Sequence, residues 1–451
     1  MTVSTSLTRF LFLLFISVIT VQLAAHISNR SNRTFTVDYK NDIFLKDGQP
    51  FRYVSGSIHY FRVPQPYWQD RLRKMRLGGL NAIQTYVEWS SHEPMPGQYD
   101  FGGQNNLTEF ISLAQKENLL VILRVGPYIC AERDMGGFPF WLLREPNIQL
   151  RTSDPNYLKP VDRWLEVLLP MIRPLLYENG GPIIMLQIEN EYGSYGCDLN
   201  YTSHLRDKFH EILGHQVVLF TTDGNGDGYL RCGRVPHVLT TIDFGSGTNV
   251  TQAKDTLQRH QEFGPFVNSE YYSGWLDYWQ SPFIQVDTSP FIKTLQELLD
   301  HNASVNIYMY HGGTNFDFKA SGNGGDNYQP TLTSYDYDAP INESGDLTDK
   351  YFAIQKLIKQ YLPDRVDDDP DVMNVSEKMS LPPINMTYLG TIFDLLPFVK
   401  NIRNKYPLTF EQANQSYGFL LYQTNITFHP TNPAILSIPG LRDRAHVFVD
   451  Q

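Results

Sequence analysis

Pro182-Ile183-Ile184-Met185-Leu186-Gln187-Ile188-Glu189-Asn190-Glu191-Tyr192-Gly193 is an apolar run that ends abruptly in two carboxylates and an amide. Six consecutive residues without alternation predict a strand buried on both faces, as in a sheet covered by helices. The next segment keeps the helical period, with Leu205, Phe209, Ile212 and Leu213 on one face. Strand then helix is the repeating unit, and it recurs on both sides of this stretch. The predicted strands are Arg52–Ser57, Ala82–Val87, Leu119–Val125, Ile183–Ile188, Val217–Thr221, Val238–Ile242, Phe266–Asn268 and Val305–Met309. Trp68, Leu72 and Met75 mark one intervening helix, and Ile354, Leu357, Ile358 and Tyr361 mark the last. Pro160, Pro170 and Pro174 in Tyr157–Tyr177 predict a broken or kinked helix pair there.

Eight such units predict an α/β fold, a parallel (β/α)8 barrel. The alternative is an open doubly wound sheet, which expects a Gly-rich phosphate loop after its first strand; none follows here. In a barrel, functional residues gather at the C-terminal ends of the strands. Tyr86, Glu132, Glu189, Asn190, Glu191, Asp243 and Glu270 all fall at such positions.

The expected organisation is a signal peptide over 1–25, the barrel over 35–362, a linker over 363–380 and a partial all-β domain over 381–451. Arg9 precedes the uncharged run Phe10–Ala25, which is shorter than the roughly 20 residues of a membrane-spanning helix. Cleavage near Ala25 is expected, with a membrane anchor as the alternative. Asp364–Asp371 is acidic and contains Pro370, and the short runs Tyr417–Tyr422 and Ala434–Ile438 then predict antiparallel strands. The β-sandwich that they begin is expected to be truncated.

Asn-x-Ser/Thr acceptors at Asn29, Asn32, Asn106, Asn200, Asn249, Asn302, Asn342, Asn374, Asn385, Asn414 and Asn425 are dense for a cytosolic chain. The secretory route, ending in the lysosome or outside the cell, is therefore expected. A net charge of −11 lacks the basic footprint of a nucleic-acid binder. No Cys/His cluster has metal-ligand spacing, and no cofactor is expected. Of three cysteines, Cys197 and Cys232 lie in Gly-rich loops after consecutive strands and can pair across the rim. Cys130 reads as an unpaired, packed thiol. No membrane span is expected after the leader, and self-association as a homo-oligomer stays open.

Glu191 and Glu270 carry the chemistry. Glu270 closes its own apolar run, Gly264-Pro265-Phe266-Val267-Asn268-Ser269-Glu270-Tyr271-Tyr272. Glycosidic cleavage needs a proton donor on the leaving oxygen and an anion at the anomeric carbon, which two facing carboxyl groups provide. Glu191 is the candidate acid/base and Glu270 the candidate nucleophile. The bland alternative is a pair of rim carboxylates in salt bridges. Asn190 can bind a sugar hydroxyl, and Tyr272 and Trp275 can wall a pocket. Glu132 can accept from two hydroxyls. Strand periodicity does not separate Glu189 from Glu191 as the acid, since alternate residues share a face.

Seven segments, taken in order, resemble family 35 of the glycoside hydrolases. They are Gly56-Ser57-Ile58-His59-Tyr60-Phe61-Arg62, Asn81-Ala82-Ile83-Gln84-Thr85-Tyr86-Val87, Ile129-Cys130-Ala131-Glu132, Gln187–Gly193, Asn268-Ser269-Glu270, Gly312-Gly313-Thr314-Asn315-Phe316 and Ser334-Tyr335-Asp336-Tyr337-Asp338. The likeness runs from about residue 35 to the end and is greatest to the animal lysosomal acid beta-galactosidases and their beta-galactosidase-like relatives. It implies a retaining exo-beta-galactosidase that removes terminal β-linked galactose. A catalytically silent galactose-binding relative is the alternative. It further implies Glu191 rather than Glu189 as acid/base and Glu270 as nucleophile. The galactose subsite would comprise Tyr86, the Cys130–Ala131 backbone, Glu132, Asn190, Tyr272, Tyr308 and Tyr337. Cys197 and Cys232 match a family disulfide. Two departures stand near the expected mouth: Arg133, where close relatives often carry Trp, and Glu88, where several carry Pro.

Overall fold

The computed structural model describes residues 33–323, 328–365 and 377–449, so the expected leader lies outside the described residues. Three short antiparallel strands come first: β1 (Phe35–Asp38), β2 (Ile43–Lys46) and β3 (Gln49–Phe51). The β2–β3 turn is Asp47-Gly48, with φ of 55° and 74°, the dipeptide favoured where both turn residues must be left-handed. Phe35 and Phe44 pack with Tyr53, Ala82, Ile122, Met185, Phe220, Leu239 and Val267. These residues lie at the N-terminal ends of the larger sheet's strands, so the small sheet covers that end of the fold.

Eight parallel strands follow and close on themselves: β4 (Val54–Ile58), β5 (Ala82–Tyr86), β6 (Leu120–Gly126), β7 (Ile183–Ile188), β8 (Val218–Gly224), β9 (Leu239–Asp243), β10 (Val267–Tyr272) and β11 (Ser304–His311). Closure is made by β11 on β4, with Val305 opposite Val54. Each strand is followed by a helix: α1 (Trp68–Leu77), α2 (Leu107–Lys116), α3 (Pro155–Ile172), α4 (Leu199–Leu213), α5 (Asp227–Gly233), α6 (Val250–His260), α7 (Thr288–Asp300) and α8 (Asp349–Tyr361). The fold is a (β/α)8 barrel, with all eight expected strands present in order. Strand registers slip near the C-terminal ends, between Asn268 and Glu270 and between Arg124 and Gly126. Such bulges re-aim side chains at a barrel rim.

Two local expectations differ. The broken helix pair is one helix, α3, running through Pro160 and Pro170; Pro174 sits in the following 3-10 turn, Arg173–Leu175. Tyr157, Val161, Trp164, Leu165, Leu168, Leu169 and Ile172 form its buried face. Pro170 is exposed and Pro160 partly so, which places the missing N–H groups where water can satisfy the freed carbonyls. Beyond the barrel, no strand forms among the described residues 377–449, where Tyr417–Tyr422 and Ala434–Ile438 were expected to pair. A strand's backbone groups need a neighbouring strand, and none lies beside them. This segment touches the barrel through Arg144 Nε, which donates to Glu411 O at 3.1 Å, and Phe419, whose ring lies 5.6 Å from that of Phe318.

Candidate active site

At the C-terminal end of the barrel, β10 places Glu270 just past its bulge. Its carboxylate is ion-paired with Arg124 Nη1 and accepts the Tyr86 hydroxyl at 2.9 Å. Arg124 projects from β6 and is wholly buried. Its Nη2 donates to Asn190 Oδ1, and its guanidinium lies 4.1 Å from the centre of the Tyr86 ring. An arginine is donor-only, so this contact fixes the Asn190 amide with its oxygen inward. Gln187 Nε2 adds a second bond to that oxygen at 3.0 Å. Asn190 Nδ2 is thereby turned toward Glu191 Oε2, 3.5 Å away.

Glu189 and Glu191 sit two residues apart in different environments. The Glu189 carboxylate is saturated: Arg151 grips both oxygens, at 3.1 and 2.6 Å. Tyr201 OH and the Asn190 N–H donate to it as well, at 2.7 and 2.8 Å. Among the described residues, the Glu191 carboxylate has only the long Asn190 contact. Burial raises the Glu191 carboxyl to about 7, and the negative charge of Glu270 adds to the effect. Its backbone is left-handed, φ 44°, and it begins the short helical turn Tyr192–Tyr195. Burial likewise pushes Asp243 and Asp223 well up, Glu191 contributing to both. The site therefore contains two carboxylates held by arginines, Glu270 and Glu189, beside carboxyl groups whose burial favours the protonated form.

The opposite shoulder is a turn of three left-handed residues, Cys130, Ala131 and Glu132, with φ of 54°, 56° and 49°. Such conformations cost about 1 kcal/mol each and persist where the surroundings over-determine them. Arg62, wholly buried, is the principal brace. Its Nη2 donates to Ala131 O at 2.6 Å, its Nε to Asn315 Oδ1 at 2.8 Å and its Nη1 to His59 Nδ1 at 2.6 Å. Burial and the nearby Arg62, Arg124 and Arg133 charges hold His59 neutral. The Glu132 carboxylate accepts the Tyr335 hydroxyl, and burial raises its pKa. Cys130 is a free, partly exposed thiol pushed up to about 12 by burial, with Glu132 next in effect.

Aromatic rings complete the rim. Tyr272 donates to Asp243 Oδ1 at 3.2 Å and meets Trp275 edge-on at 5.3 Å. Tyr308 lies 6.3 Å from Tyr272 and 5.4 Å from Tyr337, and its hydroxyl is 3.1 Å from that of Tyr335. Trp275, 6.2 Å from Tyr337, is substantially exposed. The expected subsite residues therefore share one end of the barrel, in contact directly or through Arg124, Arg62 and Tyr335.

Those three connecting residues were not singled out from sequence. Arg124 was discoverable: it is the lone charge in Leu120-Val121-Ile122-Leu123-Arg124-Val125-Gly126, and a buried charge needs a partner. The Cys197–Cys232 disulfide is formed, with a Cα–Cα distance of 4.7 Å. It ties the loop after Tyr192–Tyr195 to α5, and the Gly193 N–H donates to Asp223 Oδ1 at 2.7 Å on the same segment. Among the described residues no group of three or more His, Cys, Asp or Glu side chains is arranged to hold a metal ion, and no helix is long and apolar enough to cross a membrane.

Comparison with known proteins places this geometry. Residues 43–361 match the family described as glycosyl hydrolases family 35, and residues 407–451 match the beta-galactosidase first all-beta domain. The chain is 51% identical to the beta-galactosidase of Felis catus over 95% of its length, and 49% identical to the beta-galactosidase-1-like protein of Mus musculus over 94%. It spans 64% and 66% of those relatives' lengths, respectively. Among solved structures, an exo-beta-1,4-mannosidase from Opitutaceae bacterium strain TAV5 superposes with a TM-score of 0.52 at 13% identity, covering 71% of this chain and 61% of that one. That likeness concerns the fold alone.

Proposed function

The chain belongs to family 35 of the glycosyl hydrolases, and from that premise we propose that it is a retaining exo-β-galactosidase. Its reaction removes terminal, non-reducing β-D-galactose from oligosaccharides or glycoconjugates. Glu270 attacks the anomeric carbon while Glu191 gives its proton to the leaving oxygen, and the aglycone departs. Glu191, now a carboxylate, takes a proton from water, which displaces galactose from Glu270 with net retention. Retention requires the two carboxyl groups about 5 Å apart. Tyr86, the Cys130–Ala131 backbone, Glu132, Asn190, Tyr272, Tyr308 and Tyr337 bind the sugar.

The observation that carries this reading is the contrast between the two carboxyl groups. Glu270 is paired with Arg124, whereas burial and the Glu270 charge raise Glu191 to about 7. An arginine on one carboxylate, and burial that keeps the other protonated, assign the anion and the acid. The uncharged run ending at Ala25 and the sequon density support delivery to the lysosome or the extracellular space. The organisation proposed is a barrel over 35–362, a linker over 363–380 and the start of an all-β domain from 381.

The test assays the chain and Glu270→Gln on aryl β-galactoside and β-glucoside between about pH 4 and 7, with the product anomer followed by NMR. Galactoside turnover with retention, abolished in Glu270→Gln, is the expected result. Turnover surviving in Glu270→Gln sinks the nucleophile assignment, and equal rates on both sugars sink the galactose assignment. A chain that binds galactose and turns over nothing is the silent relative instead.

A further inference from the structure

The two positions that depart from the family pattern, Glu88 and Arg133, meet. Arg133 Nε donates to Glu88 Oε1 at 2.5 Å and Nη2 to Oε2 at 3.1 Å, a bidentate pair with both side chains at most 3% exposed. Glu88 lies two residues after Tyr86, past the end of β5, and Arg133 directly follows Glu132. The pair thus joins the segment after Tyr86 to the segment after Glu132. It is also anchored to a third loop. Ser91 Oγ donates to Glu88, Lys319 Nζ donates to Ser91 Oγ at 2.7 Å, and Arg133 bridges Ala320 in antiparallel fashion. Ser321 N donates to Glu132 O at 3.0 Å, and Asp134 N to Lys319 O at 2.8 Å. The Arg133 guanidinium lies 5.0 Å from the centre of the Phe61 ring, which stacks on His59 at 5.2 Å.

We infer that the Glu88–Arg133 ion pair is a positioning device for Glu132, acting beside Tyr335 and Ser321, and that it governs how tightly the sugar is held rather than how fast its bond is cut. The left-handed turn at Cys130–Glu132 needs bracing on both sides. Arg62 braces the turn through Ala131 O, with a longer contact to Glu132 O at 3.4 Å, and Arg133 is the covalent neighbour that follows. A bidentate guanidinium–carboxylate contact is directional, so it fixes the orientation of the chain at Arg133 and hence at Glu132. Neither residue reaches Glu191 or Glu270, so the proton donor and nucleophile keep their own supports. Burial pushes the Glu88 carboxyl up, but the Arg133 charge overrides this and holds it at about 2. The brace therefore persists through the acid range.

The inference rests on the galactoside-hydrolase reading, so wild-type turnover and galactose inhibition are measured first. A wild type that neither cleaves aryl β-galactoside nor binds galactose removes both ideas together. With an active wild type, Glu88→Gln and Arg133→Met are compared with Arg133→Lys and the reversed pair Glu88→Arg/Arg133→Glu, each checked for folding by thermal melting. The expected result is KM and the galactose Ki raised about tenfold in the two single variants with kcat within about twofold. Arg133→Lys is intermediate, because an ammonium cannot form the fork, and the reversed pair regains part of the affinity. A merely structural role lowers the folded fraction, which reduces apparent kcat and leaves KM and Ki unchanged. That outcome, or a kcat loss at constant KM in folded variants, overturns the inference.

Discussion

The Arg124 guanidinium is ion-paired with the Glu270 carboxylate at the centre of the barrel mouth, with side chains 1% and 7% exposed. The same arginine holds Asn190, so one buried cation sets both the proposed nucleophile and the amide beside the proposed acid. A charge pair this deep stabilises little in net terms but is costly to halve.

Arg124→Met removes the charged donor from Glu270 and from Asn190 Oδ1, leaving the Tyr86 hydroxyl on the first and the Gln187 amide on the second. The expected effect is a loss of about 3 kcal/mol in stability and a fall in kcat/KM of about a hundredfold or more. Calorimetry and initial rates on aryl β-galactoside check it. Wild-type kinetics in the variant would show that Glu270 is supported by other groups.

Glu191 titrates at about 7 because of its burial and the Glu270 charge. An acid that must be protonated loses activity as pH rises through its pKa, so kcat/KM should decline above about 7. Stability follows the same sign: a carboxyl whose folded pKa exceeds its unfolded value stabilises the native state below the unfolded value, about 4.3, and loses this as pH rises toward 7. Glu191→Gln, which carries no charge, should therefore be more stable than wild type at pH 8, by about 3 kcal/mol, and melt at a higher temperature. An unchanged or lower melting point at pH 8 contradicts this.

Glu189→Gln should behave in the opposite way. Its carboxylate satisfies Arg151, Tyr201 and the Asn190 N–H, so neutralising it strands a buried guanidinium. A loss of about 3 kcal/mol is expected, while the alkaline limb of the rate profile stays where Glu191 sets it. A limb that moves with Glu189→Gln would transfer the acid role to Glu189.

Cys197→Ser/Cys232→Ser removes the tie between the Tyr192–Tyr195 segment and α5. The bond closes a 35-residue separation, for which chain entropy predicts about 3 to 4 kcal/mol. Melting with and without reductant tests this: reductant should lower the wild-type transition and leave that of the double variant unmoved.

Much of this was legible because local periodicity is tied to burial. Uninterrupted runs such as Ile183–Ile188 mark strands covered on both faces, and their ends mark the rim. What escaped had long-range causes. Pro160 and Pro170 read as breaks because sequence does not show which face of α3 meets water. The β1–β3 sheet was overlooked although Asp47-Gly48 is a strong turn signal. Strand periodicity puts Glu189 and Glu191 on one face, yet both lie past the end of β7 with left-handed backbones, and Arg151, 38 residues upstream of Glu189, and Tyr201 set their environments apart. Glu88 and Arg133 were visible as two oddities, 45 residues apart; only the folded chain makes them one.

Closure of the barrel has a consequence for how the protein is made. The first barrel strand pairs on one side with a strand that is synthesised last, and the Tyr53 N–H finds Ser304 Oγ across 251 residues. Until β11 emerges from the ribosome, β4 presents an open edge of unpaired backbone N–H and C=O groups, of the kind that invites aggregation. Contacts of such sequence separation form slowly. Mutations along the β4–β11 seam, far from any reacting atom, should therefore act chiefly by lowering how much protein survives synthesis, with molecules that do mature retaining normal turnover.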